Sequence, residues 1–186
     1  MKRHERVVSV PHETVDRQPS LKGRRVPVLP AIVRRDEFAA VVIRTDYTDE
    51  PAWQAVVADL MQSWGEDGEF EARVHLVDDP VWAGVAPDEI RTAVSRDETL
   101  SVVFVVDRVT VQSFQRALLA LDVWGEEEDL DPMYYQELID SPLPREFRTC
   151  PAAVHDVHAN LSLGNLYFEE FAEAASLDPE GVLMPL

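Results

Sequence analysis

Lysine is almost missing from this chain. Of its 17 Lys and Arg residues only Lys2 and Lys22 are lysines, so nothing beyond residue 35 carries an ε-amine. That excludes from the body a Walker phosphate loop, a Schiff-base site, a protein-kinase site and a response-regulator receiver. Arginine does not replace lysine in those roles. Cysteine is limited to Cys150, which excludes an internal disulfide framework and a cysteine-based zinc cluster. The seven glycines are scattered, and G-x-G-x-x-G, G-x-S-x-G and H-E-x-x-H are absent, so no glycine-rich phosphate cradle is expected. No apolar run approaches the ~18–20 residues of a membrane helix. The basic N-terminus is not followed by the apolar run of a secretory signal. A cytoplasmic protein with no membrane segment is expected. Repeats and low-complexity segments are also absent.

What is present is a lopsided charge. The chain has 186 residues and a net charge of −18. Residues 1–35 hold nine basic and three acidic residues, a net of +6; residues 36–186 hold eight basic and 32 acidic residues, a net of −24. The first stretch carries Pro11, Pro19, Pro27 and Pro30 without a sustained period, and reads as a largely extended basic arm. Its apolar end at 26–33 is placed to dock on the body. Residues 36–186, within a chain that is 46% hydrophobic, read as a single acidic domain with enough apolar residues for a core.

The apolar pattern of the body alternates strand and helix. Residues 39–43 (AAVVI) read as a buried strand. A helix follows, with Thr48 or Asp49 as its cap, Pro51 in its first turn and an apolar stripe from Trp53 to Trp64, stopped by Gly65. Residues 70–77 form a second strand. A turn at 81–85 and a short helix at 87–94 lead to 100–106 (LSVVFVV), a central strand buried on both faces. Residues 109–114 suggest a turn of helix, and 117–124 a fourth strand. An acidic loop spans 125–131, a helical turn 133–139, and a fifth, edge strand 146–150. Helices are expected at 151–159 and 166–176, the second capped by Asn165, before a short apolar tail at 181–186. Strand–helix–strand–helix–strand implies a parallel core, and the short later links imply an antiparallel portion. The expected fold is α/β: one domain, about five strands in a mixed sheet, and flanking helices.

Four local patterns carry a resemblance. They are Ile43-Arg44-Thr45-Asp46-Tyr47-Thr48-Asp49 with Ala52-Trp53; Val77-Asp78-Asp79-Pro80 with Gly84; Phe104-Val105-Val106-Asp107; and Asn160-Leu161-Ser162-Leu163-Gly164-Asn165-Leu166-Tyr167-Phe168-Glu169-Glu170-Phe171. In this order, over about residues 39–176, they resemble an uncharacterised family of small actinobacterial proteins known as a domain of unknown function. The basic arm and the acidic insertion near Glu126 lie outside the likeness. The resemblance implies a shared α/β fold and transfers no catalytic residue.

Ligands of open α/β sheets sit beyond the carboxyl ends of parallel strands. There the sequence places Arg44 with Asp46, then Asp78 with Asp79, then Asp107. Asp46, Asp78, Asp107 and Arg44 are therefore the candidate catalytic residues, and Asp46, Asp79 and Asp107 the candidate Mg²⁺ ligands. Each also has a plain structural reading: aspartates cap helices and open turns, and Arg44 pairs internally with Asp46, Asp78 or Asp107. His155 and His158, three apart on a helix, could ligate a metal with Asp156 or Glu146, or be an incidental surface pair. Cys150 reads as a passive buried thiol. Trp124, Glu126, Glu127, Glu128, Asp129, Tyr134 and Tyr135 form the candidate partner-binding surface. The expected function is a non-catalytic interaction protein without a cofactor. Its acidic face would bind a basic protein, as a toxin-neutralising or DNA-mimicking protein would, and the body would repel nucleic acid. The alternatives are a small Mg²⁺-dependent enzyme or ligand-binding domain, and a structural subunit of an assembly.

Overall fold

The structure, a computed structural model, describes residues 29–33, 35–95, 97, 99–124 and 142–185. Its centre is a six-stranded sheet: β1 (Ala40–Arg44), β2 (Val74–Val77), β3 (Val102–Val106), β4 (Leu118–Asp122), β5 (Glu146–Thr149) and β6 (Val182–Leu183), in the order β2-β1-β3-β4-β5-β6. β1 pairs in parallel with β2 and β3, β4 is antiparallel to both its neighbours, and β5 pairs in parallel with β6. The mixed α/β class with a parallel core is as expected, with one strand more. The extra strand is the apolar tail, whose Val182 and Leu183 pair with Arg148 and Thr149. Strand β5 is therefore covered and is not an edge.

The central strands are continuous apolar runs because both faces of the sheet are covered. Alternate residues serve two cores. Ala40, Val42, Phe104, Val106, Leu118 and Ala120 face α1 (Glu50–Leu60), α4 (Val154–Leu163) and α5 (Phe168–Leu177). Val41, Ile43, Val103, Val105, Leu119 and Leu121 face Trp82 and α2 (Pro87–Val94). Leu29 and Ile32 pack against this second core, so the end of the basic arm docks where the sequence placed it. The second face is clamped further by Arg35 on Asp97 at 3.2 Å and on Thr99. A short helix, α3 (Arg108–Gln112), lies between β3 and β4. Among the described residues no helix is long and apolar enough to cross a membrane.

Local chemistry explains the boundaries. Asp49, rather than Thr48, caps α1 by accepting from Ala52 N at 2.9 Å. The helix ends at Leu60, four residues short of Trp64. Trp64 instead exchanges two backbone hydrogen bonds with Phe70, at 3.0 and 3.1 Å, closing a loop. Phe70 is thus paired with Trp64, and β2 starts only at Val74, opposite the first residue of β1, Ala40. Asn165 does not cap α5. It closes α4, donating from its backbone N to Asn160 O at 2.9 Å beyond a left-handed Gly164. The start of α5 is held by the Glu170 carboxylate, which accepts from Tyr167 N at 2.7 Å. The expected helix at 151–159 begins as a 3-10 turn (Pro151–Ala153) and continues as α4. The acidic loop at 125–131 and the helical turn at 133–139 lie outside the described residues.

Candidate functional site

The order β2-β1-β3 brings the carboxyl ends of the three parallel strands side by side, as a ligand site at that edge requires. The chain's own side chains fill it. The Arg44 guanidinium, 4% exposed, donates to Glu50 at 2.7 Å, to Asp78 at 3.4 Å and to the Asp46 backbone carbonyl at 3.1 Å. It also lies 4.3 Å from the Tyr47 ring centroid and 5.0 Å from that of Trp53. Burial and the neighbouring Asp78 carboxylate push the Tyr47 phenol up to about 12. The internal pairing expected of Arg44 is present, with Asp78 and the unforeseen Glu50 as carboxylate partners.

The remaining strand-end carboxylates are committed separately. Asp46 accepts from Thr48 N at 2.8 Å and from its hydroxyl at 2.5 Å. Asp79 accepts from Val81 N at 3.0 Å and caps a 3-10 turn. Asp107 caps α3 through Thr110 N at 3.0 Å and is held from the far side by Arg148 of β5, at 2.6 and 2.9 Å. Burial pushes the Asp107 carboxyl up, but the Arg148 and Thr110 hydrogen bonds outweigh it and hold the group below its usual range. Among the described residues no three His, Cys, Asp or Glu side chains form a group able to hold a metal.

The opposite, amino-terminal edge is open. A cavity of about 750 Å³ lies there, within the range of small-ligand pockets. Its walls come from the segments entering β1 and β3, the loop before β2, the end of β4 and one side of α4. The loop is built around Gly65 at φ +89°, where a Cβ would stand 2.7 Å from the Phe70 ring. That close approach lets Trp64 and Phe70 meet with ring centroids 4.8 Å apart.

The two histidines belong to this cavity. They are 5% and 7% exposed, so the expected surface pair is a buried one, because α4 packs against β1, β3 and the end of α1. His155 stacks on Trp64 at 5.7 Å and its Nε2–H donates to Leu60 O at 2.8 Å, satisfying a terminal carbonyl of α1. His158 Nδ1 lies 3.4 Å from the Ser162 hydroxyl, and its buried Nε2 has no hydrogen-bond partner. Burial lowers the His158 pKa to about 4; the neighbouring His155 adds to the shift, and the nearby Phe38 backbone opposes it in part. Glu146 lies elsewhere, with its carboxylate 3.6 Å from Arg91 of α2. Cys150 is buried and unpaired, and burial pushes its thiol up, away from nucleophilic reactivity. Of the candidate partner-binding residues, Trp124 is 64% exposed at the rim of the cavity. Glu126, Glu127, Glu128, Asp129, Tyr134 and Tyr135 lie outside the described residues. The spacing of His155 and His158 was the available sequence signal for this cavity; the rule of the carboxyl edge pointed away from it.

Fold and edges together define a mixed α/β domain with a self-paired carboxyl edge and an open aromatic–histidine cavity. The chain belongs to the domain-of-unknown-function family DUF6924, matched over residues 39–185. That range takes in the whole sheet and leaves out the basic arm. No curated protein matches the chain.

Proposed function

We propose that this protein is a non-catalytic interaction protein whose acidic surface binds a basic protein partner, in the manner of a toxin-neutralising or nucleic-acid-mimicking protein. The observation that supports this most is where the body's cations go. Arg44, Arg73, Arg91, Arg116, Arg145 and Arg148 each have a carboxylate of the same domain within 4.0 Å. With these cations engaged internally and 32 acids beyond residue 35, surplus carboxylates set the field a partner meets. The carboxyl edge supports the same reading, since its polar groups satisfy one another. A cytoplasmic location is part of the proposal, and the free, buried Cys150 is consistent with a reducing compartment.

The test is capture from cell lysate by the full chain at about 0.05 M and about 0.5 M salt, followed by association kinetics with the captured protein. A basic partner should be retained at low salt, and its association should slow at least about tenfold at high salt. Absence of any salt-sensitive basic partner would overturn the proposal.

A further inference from the structure

The cavity at the amino-terminal edge has a composition that favours one kind of occupant. Its mouth carries Phe38, Phe70 and Trp124, all among the exposed large hydrophobics, with Trp64 behind them. Such an exposed apolar cluster rimmed by polar groups marks an interaction site. The charged groups in the wall are Glu37, Glu69, Glu71 and Arg73. Arg73 already faces Asp36 at 3.6 Å, and Glu69 is partly used by Asp67 N at 3.0 Å. Glu37 and Glu71 are exposed and line the same cavity as the rings. Deeper in, His158 keeps a buried ring nitrogen without a partner.

Aromatic faces beside carboxylates suit a planar cation. A guanidinium stacks on rings through its faces and donates to carboxylates from its edge, whereas an ammonium is a compact, strongly hydrated charge. We infer that this cavity is the anchor point for an arginine side chain of the basic partner, its guanidinium against the aromatic rings of the mouth and within reach of the Glu37 and Glu71 carboxylates of the same cavity. The inference rests on the acidic-surface reading and places that surface's energetic centre at one site, since aromatic residues and arginine dominate interface energetics.

The probe is N-acetyl-arginine amide, titrated into the full chain and followed by the four tryptophan indole N–H resonances and the His158 ring. Trp64 and Trp124 should shift saturably, while Trp53 and Trp82, buried elsewhere, act as internal controls. The uncharged citrulline analogue should bind at least about fivefold more weakly, which matches the loss of about 1 kcal/mol of cation–π attraction. The lysine analogue should fall between the two. Glu37→Gln with Glu71→Gln should weaken the arginine probe severalfold, and Glu173→Gln with Glu180→Gln, two exposed acids outside the cavity, should not. No saturable shift at either indole, equal binding of citrulline, or equal loss from both acid pairs would overturn the site.

A second arm separates this inference from the broader reading. A basic protein captured with full salt dependence, and held equally well by Trp124→Ala, removes the anchor and leaves the acidic-surface reading in place. A cavity that binds the arginine probe in a chain that retains no basic protein keeps the anchor and removes that reading.

Discussion

Arg148 spans β4 to grip Asp107. It rises from β5, and both of its terminal nitrogens engage the carboxylate at the end of β3, at 2.6 and 2.9 Å. One of them also lies 3.3 Å from the Ala117 carbonyl at the start of β4. A single guanidinium therefore ties together three neighbouring strands where the sheet turns from parallel to antiparallel. Asp107 answers twice, since it also caps α3.

This pair should be a structural element whose loss is measurable. Asp107→Asn keeps a capping oxygen but breaks the partly buried ion pair with Arg148, and should cost about 1–3 kcal/mol. Arg148→Met should cost a similar amount, and the double variant less than the sum, because each single change strands the other group. Urea unfolding of the four species measures the coupling. The carboxyl is held below its ordinary range, so its stabilisation is complete above about pH 4. It is lost as pH falls through the lowered value, and Asp107→Asn should flatten the stability curve only in that acid window.

His158 acts in a different window. Its folded pKa is about 4, below the ordinary value of 6.5, so the unfolded chain takes up the proton first. Stability is therefore full above about pH 6.5 and should fall toward pH 4 by up to about 1.4 kcal/mol per pH unit from this group. His158→Phe, similar in shape and without a titrating nitrogen, should remove most of that slope. A curve unchanged by the substitution would show that another group carries it.

The sheet was legible because its strands are buried on both faces. Runs such as residues 102–106 are too short for a buried helix and rich in β-branched residues, which marks them as strands, and Asp49 and Asp107 sit where helix caps must sit. The edge at which a cavity opens was not legible. The carboxyl edge collects the aspartates, but whether they stay free depends on Arg44 and Arg148, which meet Asp78 and Asp107 across strands and, for Arg44, Glu50 at the start of α1. Likewise, three-residue spacing put His155 and His158 on one side of a helix but could not say that side was buried. Their burial is a property of how α4 lies against Leu60 and Trp64, nearly a hundred residues earlier in the chain.

Arg44 tests whether the carboxyl edge depends on guanidinium shape or only on charge. Arg44→Lys keeps the charge but cannot reach Glu50, Asp78 and the Asp46 carbonyl together, nor stack equally on Tyr47 and Trp53. It should cost about 1–2 kcal/mol in thermal or urea unfolding. Glu50→Gln removes one partner that is itself more than half exposed and screened by solvent, and should cost clearly less than Arg44→Lys. Equal effects from the two changes would mean that the aromatic stacking contributes little.

The loop that carries Trp64 offers a contrast between two glycines three residues apart. Gly65 and Gly68 both have positive φ, at +89° and +67°. A Cβ on Gly65 would stand 2.7 Å from the Phe70 ring and 2.8 Å from the Glu69 carboxylate, whereas on Gly68 its nearest neighbour is Ser63 Cβ at 3.6 Å. Gly68→Ala therefore meets only backbone strain, about 1 kcal/mol. Gly65→Ala adds a collision that Phe70 can relieve only by swinging away from Trp64. Its cost should reach about 2–3 kcal/mol if the loop holds. If the loop gives way, the cost in stability is small, but Trp64 loses its ring partner and the near-ultraviolet circular dichroism of the tryptophans changes. The same variant should then bind the arginine probe more weakly while Gly68→Ala binds it normally, because Phe70 forms one side of the mouth.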